Sequence, residues 1–191
     1  MKICVYGASS NQIDKNLIKV GEELGLEMAK RGIPLIFGAG ANGMMGAVAR
    51  GITKGGGHMT GIAPSFFEVD GVIYDKCDEL IRPETMWDRK TLLRDFADAY
   101  IVTPGGIGTM DEFFEVLTLK QLGRTEKAIV ILNTDGFYNE LLDLLNDFIK
   151  NKSVKNSVYE LFYVTTSVTD ALDYIEKYNP EATDAKKYKF I

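Results

Sequence analysis

Short apolar runs alternate along the chain with longer stretches of helical spacing. The runs at 3–6, 34–37, 58–63, 99–102, 127–132 and 162–165 are too short for a buried helix, and a weaker one lies at 77–82. Between them, apolar residues recur every three or four positions. They do so at 14–31 (Leu17, Val20, Leu24, Met28), 44–53, 84–96, 109–122 (Phe113, Val116, Leu117), 136–150 (Phe137, Leu141, Leu144, Leu145, Phe148) and 169–178. Strands that are apolar without interruption are buried on both faces. The pattern therefore predicts an α/β chain: a doubly wound, mostly parallel, six- or seven-stranded Rossmann-like sheet with helices on both faces. One domain spanning 1–191 is expected, with 65–74 as a surface loop and the polar tail 179–191 loose.

Three strands end in glycine turns, at Gly7, Gly38 and Gly105. In an open parallel sheet such turns share one edge and converge on one ligand. The richest is Pro104-Gly105-Gly106-Ile107-Gly108, between the run 99–102 and a helix predicted from Thr109. A glycine turn there lets backbone N–H groups face outward at the positive end of a helix dipole, which suits a phosphate. Thr109-x-x-Glu112 also fits a capping box, in which both side chains only close the helix start. Gly38-Ala39-Gly40-Ala41-Asn42-Gly43 is a literal G-x-G-x-x-G. A dinucleotide site also needs an acid at the end of the next strand, but that strand ends at Pro64-Ser65 and Glu68 comes too late, so the reading goes against NAD. Ser9 and Ser10 either bond a ligand or satisfy their own turn.

Composition narrows the chemistry. The net charge is −5 with no basic block, which argues against nucleic acid. No apolar segment has the length of a membrane span, and the apolar start is too short for a signal peptide. Two cysteines without metal-type spacing fit a reducing, cytoplasmic setting. His58 is the sole histidine, so a serine-type triad and a histidine metal cluster are excluded as usually built. Arg89, Lys90 and Arg94 gather cations on the helix 84–96. Lys90 and Arg94 share a face, and pairing with Asp88 and Asp95 is the default for them. Arg89 points elsewhere and is the better candidate for a site.

The string Pro104-Gly105-Gly106-Ile107-Gly108-Thr109-Met110-Asp111-Glu112 matches PGGxGTxxE and resembles the LOG (Lonely Guy) family, phosphoribohydrolases of cytokinin nucleotides once labelled lysine decarboxylases. Gly38 to Gly46 resembles the family's GGGxxGLMG with Ala39 in place of a glycine. Gly57 to Pro64 resembles GHVxGxxP, Gln121-Leu122-Gly123 resembles QLG, and Met86-Trp87-Asp88-Arg89-Lys90 resembles MHxRK with Trp87 in place of histidine.

The resemblance implies hydrolysis of the N-glycosidic bond of an N6-modified adenosine 5′-monophosphate, or of a related purine nucleotide, to free base and ribose 5-phosphate. Glu112 and Arg89 are the expected catalytic residues. Gly105, Gly106, Gly108 and Thr109, with Lys90, Ser9, Gly40 and Gly43, are the expected substrate- and phosphate-binding residues. A carboxylate suits the cationic, oxocarbenium-like transition state, either by stabilising its charge or by activating water. No metal or redox cofactor is implied, and short family members are homodimers. The alternative is a non-catalytic nucleotide or molybdenum-cofactor carrier of the same fold; Glu112 and Arg89 together favour the enzyme.

Overall fold

The computed structural model describes residues 1–67, 71–180 and 184–189; Glu68, weighed above as a ribose ligand, lies outside them. Seven strands form one sheet: β1 (Ile3–Tyr6), β2 (Leu35–Phe37), β3 (Met59–Ile62), β4 (Glu79–Ile81), β5 (Ala99–Val102), β6 (Ala128–Leu132) and β7 (Tyr163–Thr165). Their order is β4-β3-β2-β1-β5-β6-β7, and every neighbouring pair is parallel.

The unbroken apolar runs have the cause expected for a parallel sheet. Ile3, Val5, Leu35, Phe37, Ile101 and Val130 pack into one layer with α1 (Lys15–Lys30), α2 (Gly43–Gly55) and α6 (Val168–Lys177). The alternate residues Cys4, Tyr6, Ile36, Tyr100, Val102 and Ile131 pack into the opposite layer with α3 (Met86–Phe96), α4 (Ile107–Gln121) and α5 (Asn139–Lys150). A one-residue slip of any strand would exchange the two sets, so burial fixes the register.

Chain direction across the sheet reverses at β1. The chain runs outward from β1 to β4 on one side, then returns to β5 on the other. The carboxyl ends of β1 and β5 therefore flank a topological switch point, where an open α/β sheet leaves a crevice.

The tail departs from expectation. Ala185–Tyr188 forms a short helix, α7, capped by Asp184, and Tyr188 is only 8% exposed. Its ring joins the cluster of α4 and α5, and the Gln121 side chain donates to its carbonyl at 3.1 Å. Lys155 and Ser157 also donate to the carbonyls of Lys186 and Lys187, at 2.7 and 2.8 Å, so one aromatic and several polar contacts dock the segment. Among the described residues no helix is long and apolar enough to cross a membrane.

Candidate functional site

The loops after β1 and β5 are tied together before any ligand arrives. Thr103 donates to the Tyr6 carbonyl through both its backbone N–H (2.9 Å) and its hydroxyl (2.8 Å). The Ala8 N–H donates to the Pro104 carbonyl at 3.1 Å, and the buried Tyr138 hydroxyl donates to the Thr103 carbonyl at 2.7 Å. With the loop after β2, these loops wall a cavity of about 580 Å³, within the range of small-molecule sites.

The helices after the glycine turns of β2 and β5 both start at this cavity, and their N-termini differ. In α2, two of the first three N–H groups are taken by the protein itself. Gly43 donates to the Asn11 side chain at 2.9 Å and Met45 to the Ala8 carbonyl at 3.2 Å. The G-x-G-x-x-G loop therefore spends its helix start on holding the β1 loop. In α4 the cap is Gly106, which offers no side chain, and Gly106, Ile107, Gly108 and Thr109 all line the cavity. The N–H groups of the first turn have no intrahelical acceptor. A Cβ at Gly106 or Gly108 would meet no atom within 4 Å. The open face suits an anion, because the helix dipole is positive there.

This start corrects the helix boundary and the capping box. The helix begins at Ile107, two residues before Thr109, so Glu112 lies in the second turn. Thr109 is buried and packs over Gly105, where a Cβ would collide with its side chain. The Glu112 carboxylate turns instead to Arg89.

Arg89 is fixed by the local sequence. Pro83 precedes α3, and Thr85 caps it by accepting from the Asp88 N–H at 3.0 Å. This turns Arg89 inward, where it is 9% exposed. Its Nε donates to the Ile62 carbonyl at 3.2 Å and its Nη1 to Glu112 Oε1 at 2.8 Å. Gly38 leaves the space the guanidinium fills; any side chain there would strike it. Burial raises the Glu112 carboxyl above its ordinary value, and the Arg89 charge opposes that rise. Both side chains also line the cavity. Losing one partner of such a buried pair typically costs about 3–5 kcal/mol, because the other is left charged and unpaired.

Of the residues expected from sequence, Ser9, Gly40, Arg89, Gly106, Gly108, Thr109 and Glu112 come together around the cavity. Gly105, Gly43 and Lys90 do not line it. Gly105 packs beneath Thr109, and Gly43 ties the β1 loop. Lys90 bridges to Asp111 at 3.0 Å and Glu115 at 2.6 Å on the neighbouring helix α4. Arg94 also reaches Glu115, at 3.0 Å, besides its sequence neighbour Asp95. The expected cationic face is therefore an interhelical network, in which Asp88 instead serves the α3 cap.

Cys4 lies beneath the site, fully buried, and burial pushes its thiol far up, so it packs and does not react. His58 is exposed and precedes β3, at the amino edge of the sheet away from the cavity.

Sequence reasoning missed Asn42, Met45, Phe67, Val72, Ile73, Met86 and Ile107, which also line the cavity. Val72 and Ile73 belong to the predicted surface loop. Ala41 donates to the Val72 carbonyl and Tyr74 to the Ala39 carbonyl, each at 2.8 Å, which holds residues 72–74 against the turn after β2 and sets Val72 and Ile73 at the cavity. The apolar content of that stretch, with Phe66, Phe67, Val72 and Ile73 in ten residues, is the signal the sequence offers. Ala39, which stands where the resemblance has glycine, adopts φ 58°, a left-handed conformation that costs a non-glycine residue about 1–2 kcal/mol.

Comparison with known proteins agrees with the motifs. The family model described as "Possible lysine decarboxylase" matches residues 45–175. The chain is 32% identical to the cytokinin riboside 5′-monophosphate phosphoribohydrolase LOG of Oryza sativa subsp. japonica, over 94% of this chain and 74% of that protein. It is 31% identical to the cytokinin riboside 5′-monophosphate phosphoribohydrolase LOG2 of Arabidopsis thaliana, over 96% and 86%. The molybdenum cofactor binding protein of Rippkaea orientalis shares the fold, with a TM-score of 0.71 at 23% identity over 92% of this chain and 94% of that one. On the family match and these relatives, the chain belongs to the LOG family.

Proposed function

We propose that the protein hydrolyses the N-glycosidic bond of a purine nucleoside 5′-monophosphate, in the first instance an N6-modified AMP, releasing the free base and ribose 5-phosphate. One observation carries this reading. An uncapped helix N-terminus and a buried arginine–carboxylate pair open onto the same cavity, with the carboxylate one turn further along that helix. The names of the relatives supply the substrate class.

In this reading the phosphate sits on the N–H groups of Gly106, Gly108 and Thr109. Gly105 and Gly43 support the two loops from behind. Arg89 holds Glu112 Oε1, so the carboxylate keeps one fixed orientation. As the C1′–N bond lengthens, positive charge grows on the ribose and the Glu112 carboxylate stabilises it. Water then bonds to C1′ as the C1′–N bond breaks, Glu112 accepts the water's proton, the base takes a proton from solvent at nitrogen, and Glu112 returns its own to solvent before the next turnover. Ser9 and Gly40 line the sugar and base side of the cavity.

The test is incubation of purified protein with AMP and N6-isopentenyl-AMP, with free base followed by chromatography. Base release, abolished in Glu112→Gln, is the expected result. Glutamine keeps an oxygen for Arg89, so the variant folds and binds. Nucleotide binding by calorimetry with no release from any purine monophosphate would overturn hydrolysis and leave a carrier or sensor.

A further inference from the structure

We propose that Asn42 reads the base, by donating its side-chain amide N–H to an unprotonated ring nitrogen of the purine. This rests on the nucleotide reading of the cavity.

The orientation of the Asn42 amide follows from a backbone donor. The Gly43 N–H can only donate, so the Asn11 atom 2.9 Å away is its oxygen. The Asn11 nitrogen then faces the other way and lies 2.8 Å from Asn42, whose atom at that contact must be oxygen. The Asn42 nitrogen is thereby turned away from Asn11. Among the described residues it donates to the Gly71 carbonyl at 3.5 Å, the outer limit of a hydrogen bond. Asn42 lines the cavity, and its amide carries two N–H groups against that one long contact among the described residues, so a donor is available there while its own acceptor is committed to Asn11.

Its place in the sheet gives that donor a partner. Asn42 follows β2 and the phosphate-type turn follows β5, with β1 between them. Two strand spacings separate the loops, about 10 Å. With the phosphate on α4 and the ribose at Glu112, the base of the same molecule extends toward Asn42. There Val72, Ile73 and Met45 supply apolar surface for its faces. A purine edge in that slot meets a donor, and its ring nitrogens are acceptors. The arrangement rejects a base that lacks the facing nitrogen, because a donor covered by the bound base would be left unmatched.

The experiment measures affinity in the non-hydrolysing Glu112→Gln background, by calorimetry with AMP and its 1-deaza, 3-deaza and 7-deaza analogues. One of the three analogues is expected to bind about ten- to a hundredfold more weakly than AMP. Asn42→Ala is expected to weaken AMP by a similar factor and to bind AMP and that analogue equally. Asn42→Asp keeps the oxygen that Asn11 needs but has no N–H, so it is expected to lose the same discrimination while keeping the loop tied. Unchanged AMP affinity in Asn42→Ala, or unchanged discrimination in both variants, would overturn the proposal and leave the nucleotide reading intact. Failure of AMP itself to bind would overturn both.

Discussion

At the scale of single residues, the pairing of Glu112 with Arg89 sets the pH behaviour. Burial raises the Glu112 carboxyl above 4.5 while the guanidinium 2.8 Å away pulls it back. The acting form is the carboxylate, so activity is gained as pH rises through the folded-state value. The acid limb of kcat/KM for base release, which reports the free enzyme, is therefore expected above 4.5. A limb at or below that value would remove Glu112 from the role. The stability term has the opposite sense. A carboxyl whose folded value is raised binds its proton more tightly when folded. Its contribution is complete below the unfolded value and is lost as pH rises through the folded one. Glu112→Gln is expected to remove that slope from the pH dependence of the urea midpoint.

At the scale of elements, α4 separates ligand chemistry from folding. Gly108 is its second residue, and a methyl group there meets no protein atom within 4 Å. Alanine is the better helix former by about 1 kcal/mol. Gly108→Ala should therefore hold or raise the urea midpoint and yet weaken AMP binding at least tenfold, because the methyl group stands where the phosphate would. Equal affinity in the variant would move the phosphate off this helix. The elements themselves were legible in the sequence. A strand covered on both faces has to be an unbroken apolar run, and 99–102 reads as β5 without adjustment. What sequence hid were contacts made across long separations. Thr109-x-x-Glu112 satisfies a capping pattern, but Arg89, 23 positions earlier, claims the carboxylate. Gly43 looks like part of a phosphate loop until Asn11, 32 positions away, takes its N–H. Arg94 does pair with Asp95 on its own helix, as expected, but the partners of Lys90 and the second partner of Arg94 lie on α4, and the register of α3 against α4 cannot be read locally. Tyr188 gives no periodic signal, so its docking beside Gln121 of α4 appears only in three dimensions.

At the scale of the whole molecule, the cavity joins the two halves of the sheet. Ser9 follows β1 and Gly40 follows β2 on the outward path, while Gly106 to Glu112 follow β5 on the return. A ligand touching all three loops resists separation of the halves and so stabilises the whole fold against unfolding rather than one loop. Ligand at a hundred times its Kd contributes about 2.7 kcal/mol. In a domain of this size, a change of that magnitude raises Tm by about 5–10 °C. Glu112→Gln with AMP is the form to measure, since the nucleotide then persists through the scan. Its melt should remain a single transition displaced upward. Adenosine, which lacks the phosphate that α4 would hold, should displace it far less. Equal shifts with adenosine and AMP would mean that the open start of α4 is not the anchor, and the assignment of Gly106, Gly108 and Thr109 would fall while the rest of the fold stood.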